Sequence, residues 1–81
     1  MYCVYLLKSK PCPHKTYVGI TTNIDLRMKQ HNEPRKNGHT SQYQPWELVC
    51  FIAFSTKEKA LRFERYLKHG SGWSFAKRHL W

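Results

Sequence analysis

The chain has 81 residues, enough for one domain and too few for two, and a domain this small buries only about 60–65% of its unfolded surface, which argues against a deep enclosed cofactor pocket. Fourteen Lys and Arg against five Asp and Glu leave a net charge of +9, with five histidines in reserve, which disfavours a cationic partner and favours an anion, nucleic acid first. With 41% hydrophobic and 15% aromatic residues, the chain is not a disordered basic tail.

Tyr2 to Lys8 is β-rich and apolar on consecutive positions, as expected of a strand covered on both faces. Ser9 to Lys15, with Pro11 and Pro13, reads as a hairpin loop, and Thr16 to Ile20 as the returning strand. Gly19 interrupts that strand, the mark of a bulge or of a close approach to the backbone. Thr22 or Asn23 offers an N-cap for a short helix to about His31. Asn32 to Gln44, containing Pro34 and Gly38, is expected to be a mobile loop. Leu48 to Phe54 reads as a buried strand, and Ser55 with Glu58 as a capping box before a helix from Thr56 to about His69. Gly70 and Gly72 should end that helix, and Ser74 to Leu80 should form a last short one. The expected fold is α/β of the α+β kind: a single domain, ββαβαα, with helices packed on a three-stranded antiparallel sheet.

Three polar features fall where apolar residues are expected. On the later helix Ala60, Leu61, Phe63 and Leu67 mark the buried stripe, and Glu64 lies among them. A carboxylate there costs several kcal/mol unless a cation or donors meet it. It is either a stripe-edge group paired to Lys68 or Arg65, or a ligand for a hard cation that keeps its waters and takes a substrate phosphate. On the first helix Arg27 and His31 share the face of Ile24 and Met28. Arg27 either lays its stem over the core or, with His31, forms a phosphate site in which the guanidinium forks onto two oxygens. Tyr5 and Tyr17 sit on strands expected to pair; each is either a packing residue or part of a face shared with Arg27, His31 and Glu64.

Cys3-Val4-Tyr5 followed by Tyr17-Val18-Gly19 resembles the paired triplets of the GIY-YIG nuclease family. Thr21, Arg27 and His31 follow at the family's spacing, as does Glu64, and the resemblance runs from Tyr2 to about Phe75. Pro45 to Val49 and Tyr66 to Gly72 are similar to stretches of the small stand-alone branch, whose members resemble the amino-terminal nuclease domain of the excision-repair enzyme. Cys3 stands where the family name has glycine, and no asparagine follows Asn37, although several members carry one after the metal-binding glutamate.

The resemblance implies hydrolysis of DNA phosphodiesters with a single Mg²⁺ or Mn²⁺ held by Glu64 and waters. It implies that Arg27 stabilises charge on the non-bridging oxygens and that Tyr17 takes a proton from the attacking water, with Tyr5 positioning it. His31 is a rival for the base, and Gly19 is expected to let backbone approach the phosphate. Lys8, Lys10, Lys15, Lys29, Arg35 and Lys36 are candidates for non-specific phosphate contact. Rival readings are a catalytically silent DNA-binding module, a subunit activated or targeted by a partner protein, and a zinc-stabilised domain using Cys12, His14 and Cys50. No apolar run approaches the roughly 18–20 residues of a bilayer crossing, and the first residues lack the pattern of a signal peptide. An odd three cysteines suits a reducing compartment, so a cytoplasmic location without membrane contact is expected.

Overall fold

The computed structural model describes residues 1–34 and 41–81. Strand β1 (Tyr2–Ser9) is central, with β2 (Thr16–Thr21) and β3 (Trp46–Phe54) antiparallel on either side, in the order β2-β1-β3. Helices α1 (Ile24–Asn32), α2 (Lys57–Lys68) and α3 (Gly70–His79) complete the expected ββαβαα order, and Ser41–Tyr43 adds one 3₁₀ turn. The middle of the expected Asn32–Gln44 loop, with Arg35, Lys36, Asn37 and Gly38, lies outside the described residues, while its two ends are regular structure. No helix among the described residues is long and apolar enough to cross a membrane.

The apolar run in β1 follows from its central position, because alternate side chains feed two separate layers. Val4 and Leu6 pack with Ala60, Leu67 and Ala76 from α2 and α3. Tyr5 and Leu7 point the other way, onto Trp46 and the half-buried Tyr17, Ile24 and Met28. The sheet therefore carries α1 on one face and α2 with α3 on the other.

Local chemistry sets the helix ends. Thr21 Oγ1 accepts from Asn23 N at 3.1 Å, and Asn23 Oδ1 accepts from Leu26 N at 3.0 Å, which settles the α1 cap on Asn23. The α2 cap is Thr56, whose hydroxyl accepts from Lys59 N at 3.3 Å, so the expected Ser55–Glu58 capping box is one residue out of phase. Glu58 instead pairs with Arg62 at 2.8 Å along the exposed surface. Nor do Gly70 and Gly72 lie outside the helices. The extended residue His69 separates α2 from α3, Gly70 opens α3 at φ 53°, and Gly72 is buried inside it. A Cβ on Gly72 would overlap the Tyr66 carbonyl, so glycine is there for helix contact rather than for helix termination.

The two ends of the connection after α1 are tied together. Asn32 Nδ2 donates to Trp46 O at 3.0 Å, and Trp46 N donates to Asn32 Oδ1 at 2.6 Å. Gln44 Nε2 donates to the carbonyls of His31 and Glu33, each at 2.6 Å. These bonds hold the last turn of α1, and with it His31, against the start of β3.

Candidate active site

The α1-facing side of the sheet gathers five of the six residues singled out from the sequence. Tyr5 is fully buried, and its hydroxyl is the meeting point: Arg27 Nε donates to it at 3.2 Å, and His31 Nε2 lies 3.0 Å away. The His31 ring stands edge-on to Tyr17 with centroids 4.9 Å apart, and Tyr17 lies 6.1 Å from the Tyr5 ring. Helical spacing explains the convergence, since Arg27 and His31 are one turn apart on α1 and reach a phenol rising from β1. Arg27 itself is exposed, not core-facing. Its Nη1 donates to Gln30 Oε1 at 3.3 Å, and its head remains accessible to solvent.

Gly19 is the register partner of Tyr5. A Cβ there would lie 2.5 Å from the Tyr5 hydroxyl oxygen, 2.6 Å from its Cζ and 2.8 Å from Tyr17 Cε1. The space left by the absent side chain is therefore taken by the two tyrosines.

Glu64 is placed differently. It belongs to α2, on the opposite face of the sheet, and its partner among the described residues is Lys68 Nζ at 3.5 Å. Its side chain is 18% exposed, at the edge of the stripe formed by Ala60 and Leu67. The structure thus shows the Lys68 pairing for Glu64. What links the two faces is the outer edge of β2. A cleft of about 330 Å³ runs along it, lined by Tyr17 on one side and by Leu67 and Lys68 on the other.

Proton bookkeeping constrains the roles. Arg27 is always a donor, so the Tyr5 oxygen accepts from it, and the phenol proton remains available to His31 Nε2. Burial raises the Tyr5 pKa above the usual 10, opposed by the Arg27 hydrogen bond and reinforced by the neighbouring Tyr17. Tyr5 therefore stays a neutral phenol at neutral pH. Tyr5 in turn holds the Arg27 guanidinium above its ordinary value, so its charge is permanent. A folded-state pKa above the unfolded one contributes stability below pH about 10 that is lost as pH rises through the folded value. Urea melts at increasing alkaline pH should show this loss in the wild type, and Tyr5→Phe should flatten it.

Among the described residues no group of three or more His, Cys, Asp or Glu is placed to hold a metal, which removes support from the zinc reading of Cys12, His14 and Cys50. Of the candidate phosphate contacts, Lys10, Lys15 and Lys29 are exposed, Lys8 is half-buried, and Arg35 and Lys36 lie outside the described residues. Asn32 and Gln44, which hold the end of α1 that carries His31, are the supporting residues that sequence reasoning did not single out. Nothing in their spacing signals a partner many residues away.

A tyrosine pair flanked by an arginine and a histidine, on a three-stranded sheet with helices on both faces, defines a class. The model of the GIY-YIG catalytic domain matches residues 1–73, and the chain belongs to that family. It is 43% identical over 74 residues to the structure-specific endonuclease subunit SLX1 of Debaryomyces hansenii, covering 84% of this chain and 21% of that protein. It is 42% identical over 66 residues to the Giardia intestinalis homologue of the same subunit, covering 78% of this chain and 18% of that protein. The chain thus spans about a fifth of the length of these curated relatives. A solution NMR structure of the UPF0213 protein BH0048 from Bacillus halodurans superposes with a TM-score of 0.54 at 35% identity, covering 95% of this chain and 81% of that one.

Proposed function

We propose that the chain is the catalytic domain of a divalent-metal-dependent endonuclease that hydrolyses DNA phosphodiester bonds. The observation that carries this reading is the Tyr5 hydroxyl held between Arg27 Nε and His31 Nε2, in a chain of the GIY-YIG family. The exposed, permanently charged head of Arg27 binds the non-bridging oxygens and offsets the charge that develops on them. Tyr5 gives its hydrogen bond to His31 Nε2, which holds the ring in the tautomer with its proton on Nδ1 and fixes the edge it presents to Tyr17. Tyr17 borders both the Arg27–His31 group and the cleft beside Lys68, and it takes the proton of the attacking water. The net charge of +9 supplies a diffuse attraction to the rest of the backbone.

Glu64 fits the role of metal ligand. It offers one carboxylate, partly open to solvent, suited to a hard cation that keeps most of its waters. Either Mg²⁺ or Mn²⁺ matches this donor set, and Lys68 must release the carboxylate for the ion to bind. Bound there, the cation would supply charge withdrawal from the phosphate and stabilisation of the leaving oxygen.

The test incubates labelled duplex, branched and single-stranded DNA with the protein in Mg²⁺, Mn²⁺ or EDTA. Glu64→Gln should bind DNA as well as the wild type and cut at background level. Cutting that survives EDTA, or that Glu64→Gln leaves intact, would refute the mechanism. A second reading, a domain active only with a partner protein, draws on the relatives' being named subunits of longer proteins. Binding without cutting by the isolated chain, and cutting once a partner is added, would favour it. A role in DNA repair and a cytoplasmic setting belong to the same proposal, the latter supported by three free cysteines.

A further inference from the structure

Across α2 and α3 runs a row of rings that the site on the α1 side does not use. Phe54, at the end of β3, has its centroid 5.3 Å from Phe63, and Phe63 lies 6.0 Å from Tyr66. Tyr66 lies 6.1 Å from Phe75, and Phe75 lies 5.0 Å from the His79 ring. Spacing builds the row: Phe63 and Tyr66 are three apart on α2, and Phe75 and His79 four apart on α3, so each pair shares a helix face. Phe54 and Phe63 pack against the core, but Tyr66 is 43% exposed and Phe75 37%. A hollow of about 320 Å³ is lined by Phe54, Phe63 and Tyr66 with Lys59 and Arg62. A second, of about 330 Å³, is lined by Ser71, Ser74 and Phe75 with Arg78 and His79. Trp73, in the wall of the cleft beside β2, is two residues from Phe75 and so about 200° around α3 from it, which makes the row and the cleft separate surfaces.

A contiguous row of exposed rings marks an interaction surface, and the charges around it set the sign of the partner. Neither hollow is lined by a carboxylate. Arg62 is paired with Glu58 at 2.8 Å, whereas Lys59, Arg78 and His79 meet no carboxylate among the described residues. A second copy of this chain is the wrong complement, since it brings another +9 and the same basic rim. A nucleic acid has the right sign, but the face that addresses it, with Arg27 and Tyr17, lies across the sheet. An apolar hollow rimmed by cations instead suits a bulky aliphatic or aromatic side chain flanked by carboxylates. We infer that the row is a docking surface for an acidic segment of a partner protein. Bulky apolar side chains of that segment fill the two hollows, and its Asp and Glu meet Lys59 and Arg78. The inference goes beyond the nuclease reading and does not rest on it, and a segment docked here leaves the Tyr5–Arg27–His31 group open on the other face.

The experiment selects binders of the whole chain from a library of random peptides displayed on phage. Enriched sequences should carry net negative charge with Leu, Ile, Phe or Trp anchors, and they are then synthesised with a fluorescent label for binding by anisotropy. Tyr66→Ser and Phe75→Ser should each weaken binding by roughly tenfold or more. Lys59→Glu and Arg78→Glu, whose exposed side chains make no hydrogen bond or ion pair among the described residues, should weaken it several-fold and reduce its dependence on salt. Lys29→Glu on α1 and Phe51→Ala, which change the same charge and remove the same kind of ring elsewhere, should bind as the wild type does. Enrichment of no acidic sequences, or peptides that bind the row variants as tightly as the wild type, would overturn the inference. A thymidine oligonucleotide whose binding falls in Phe75→Ser, with no peptide enriched, would overturn it in favour of a nucleic-acid surface. A dimer by analytical ultracentrifugation that Phe75→Ser converts to monomer would overturn it in favour of an interface between copies. Cleavage in Mg²⁺ is scored separately: cutting without peptide binding defeats the docking surface alone, and peptide binding through the row without cutting defeats the nuclease reading alone.

Discussion

Arg27→Ala should lower the cleavage rate by about a hundred- to a thousandfold, the usual effect of removing a preorganised donor from developing negative charge. The folded state should barely notice, because the guanidinium head is exposed and Tyr5 keeps His31 Nε2 as a hydrogen-bond partner. Unfolding free energy should change by under about 1 kcal/mol. Tyr5→Phe removes the shared hydroxyl while leaving the buried ring, and it should slow cleavage too. Arg27 Nε and the Tyr5 hydroxyl are joined at 3.2 Å, so the double variant should lose less than the two single losses predict together. Single-turnover rates of the four proteins give the coupling directly. Strict additivity would show that the hydroxyl does nothing for the guanidinium.

Gly72→Ala should produce the largest loss of stability of any single methyl addition named above. The added carbon would overlap the Tyr66 carbonyl and stand 2.8 Å from Tyr66 Cγ. A flexible side chain can move aside, but a main-chain carbonyl in α2 cannot do so without shifting the helix. The cost should be about 3 kcal/mol or more, above the usual range for overpacking. For a domain of this size that corresponds to a fall in Tm on the order of 15 °C. Ser71→Ala, one residue earlier and exposed, should melt within a degree or two of the wild type. A small shift for Gly72→Ala would mean that α2 and α3 separate easily. Because α2 carries Glu64 and Lys68, and α3 carries Trp73, a large shift should also weaken the cleft.

Much of the fold was legible because period and chemistry agreed. The unbroken apolar run of β1 signalled a central strand, and Asn23 offered a side-chain acceptor at the right place for α1. The tyrosine pair, Arg27 and His31 stood out as polar residues where apolar ones were expected, and their spacing matched a known family. What escaped is non-local. Ser55 and Thr56 are both good caps, and residue type alone does not choose between them. Gly70 and Gly72 look like helix terminators until α2 and α3 are in contact. The pairing of Asn32 with Trp46 depends on where β3 lies. Glu64 was recognisable as misplaced polarity, but its position across the sheet from the tyrosines follows from helix packing and leaves no trace in residue spacing.

The alternation along β1 has one more consequence. Its neighbours Val4, Tyr5 and Leu6 divide between the two layers, so a slip of one residue would put an aliphatic side chain under α1 and a phenol into the apolar layer beneath α2 and α3. A misaligned sheet therefore loses both cores as well as the chemistry. A register slip that keeps the strands paired would also carry the tyrosine hydroxyl away from Arg27 and His31.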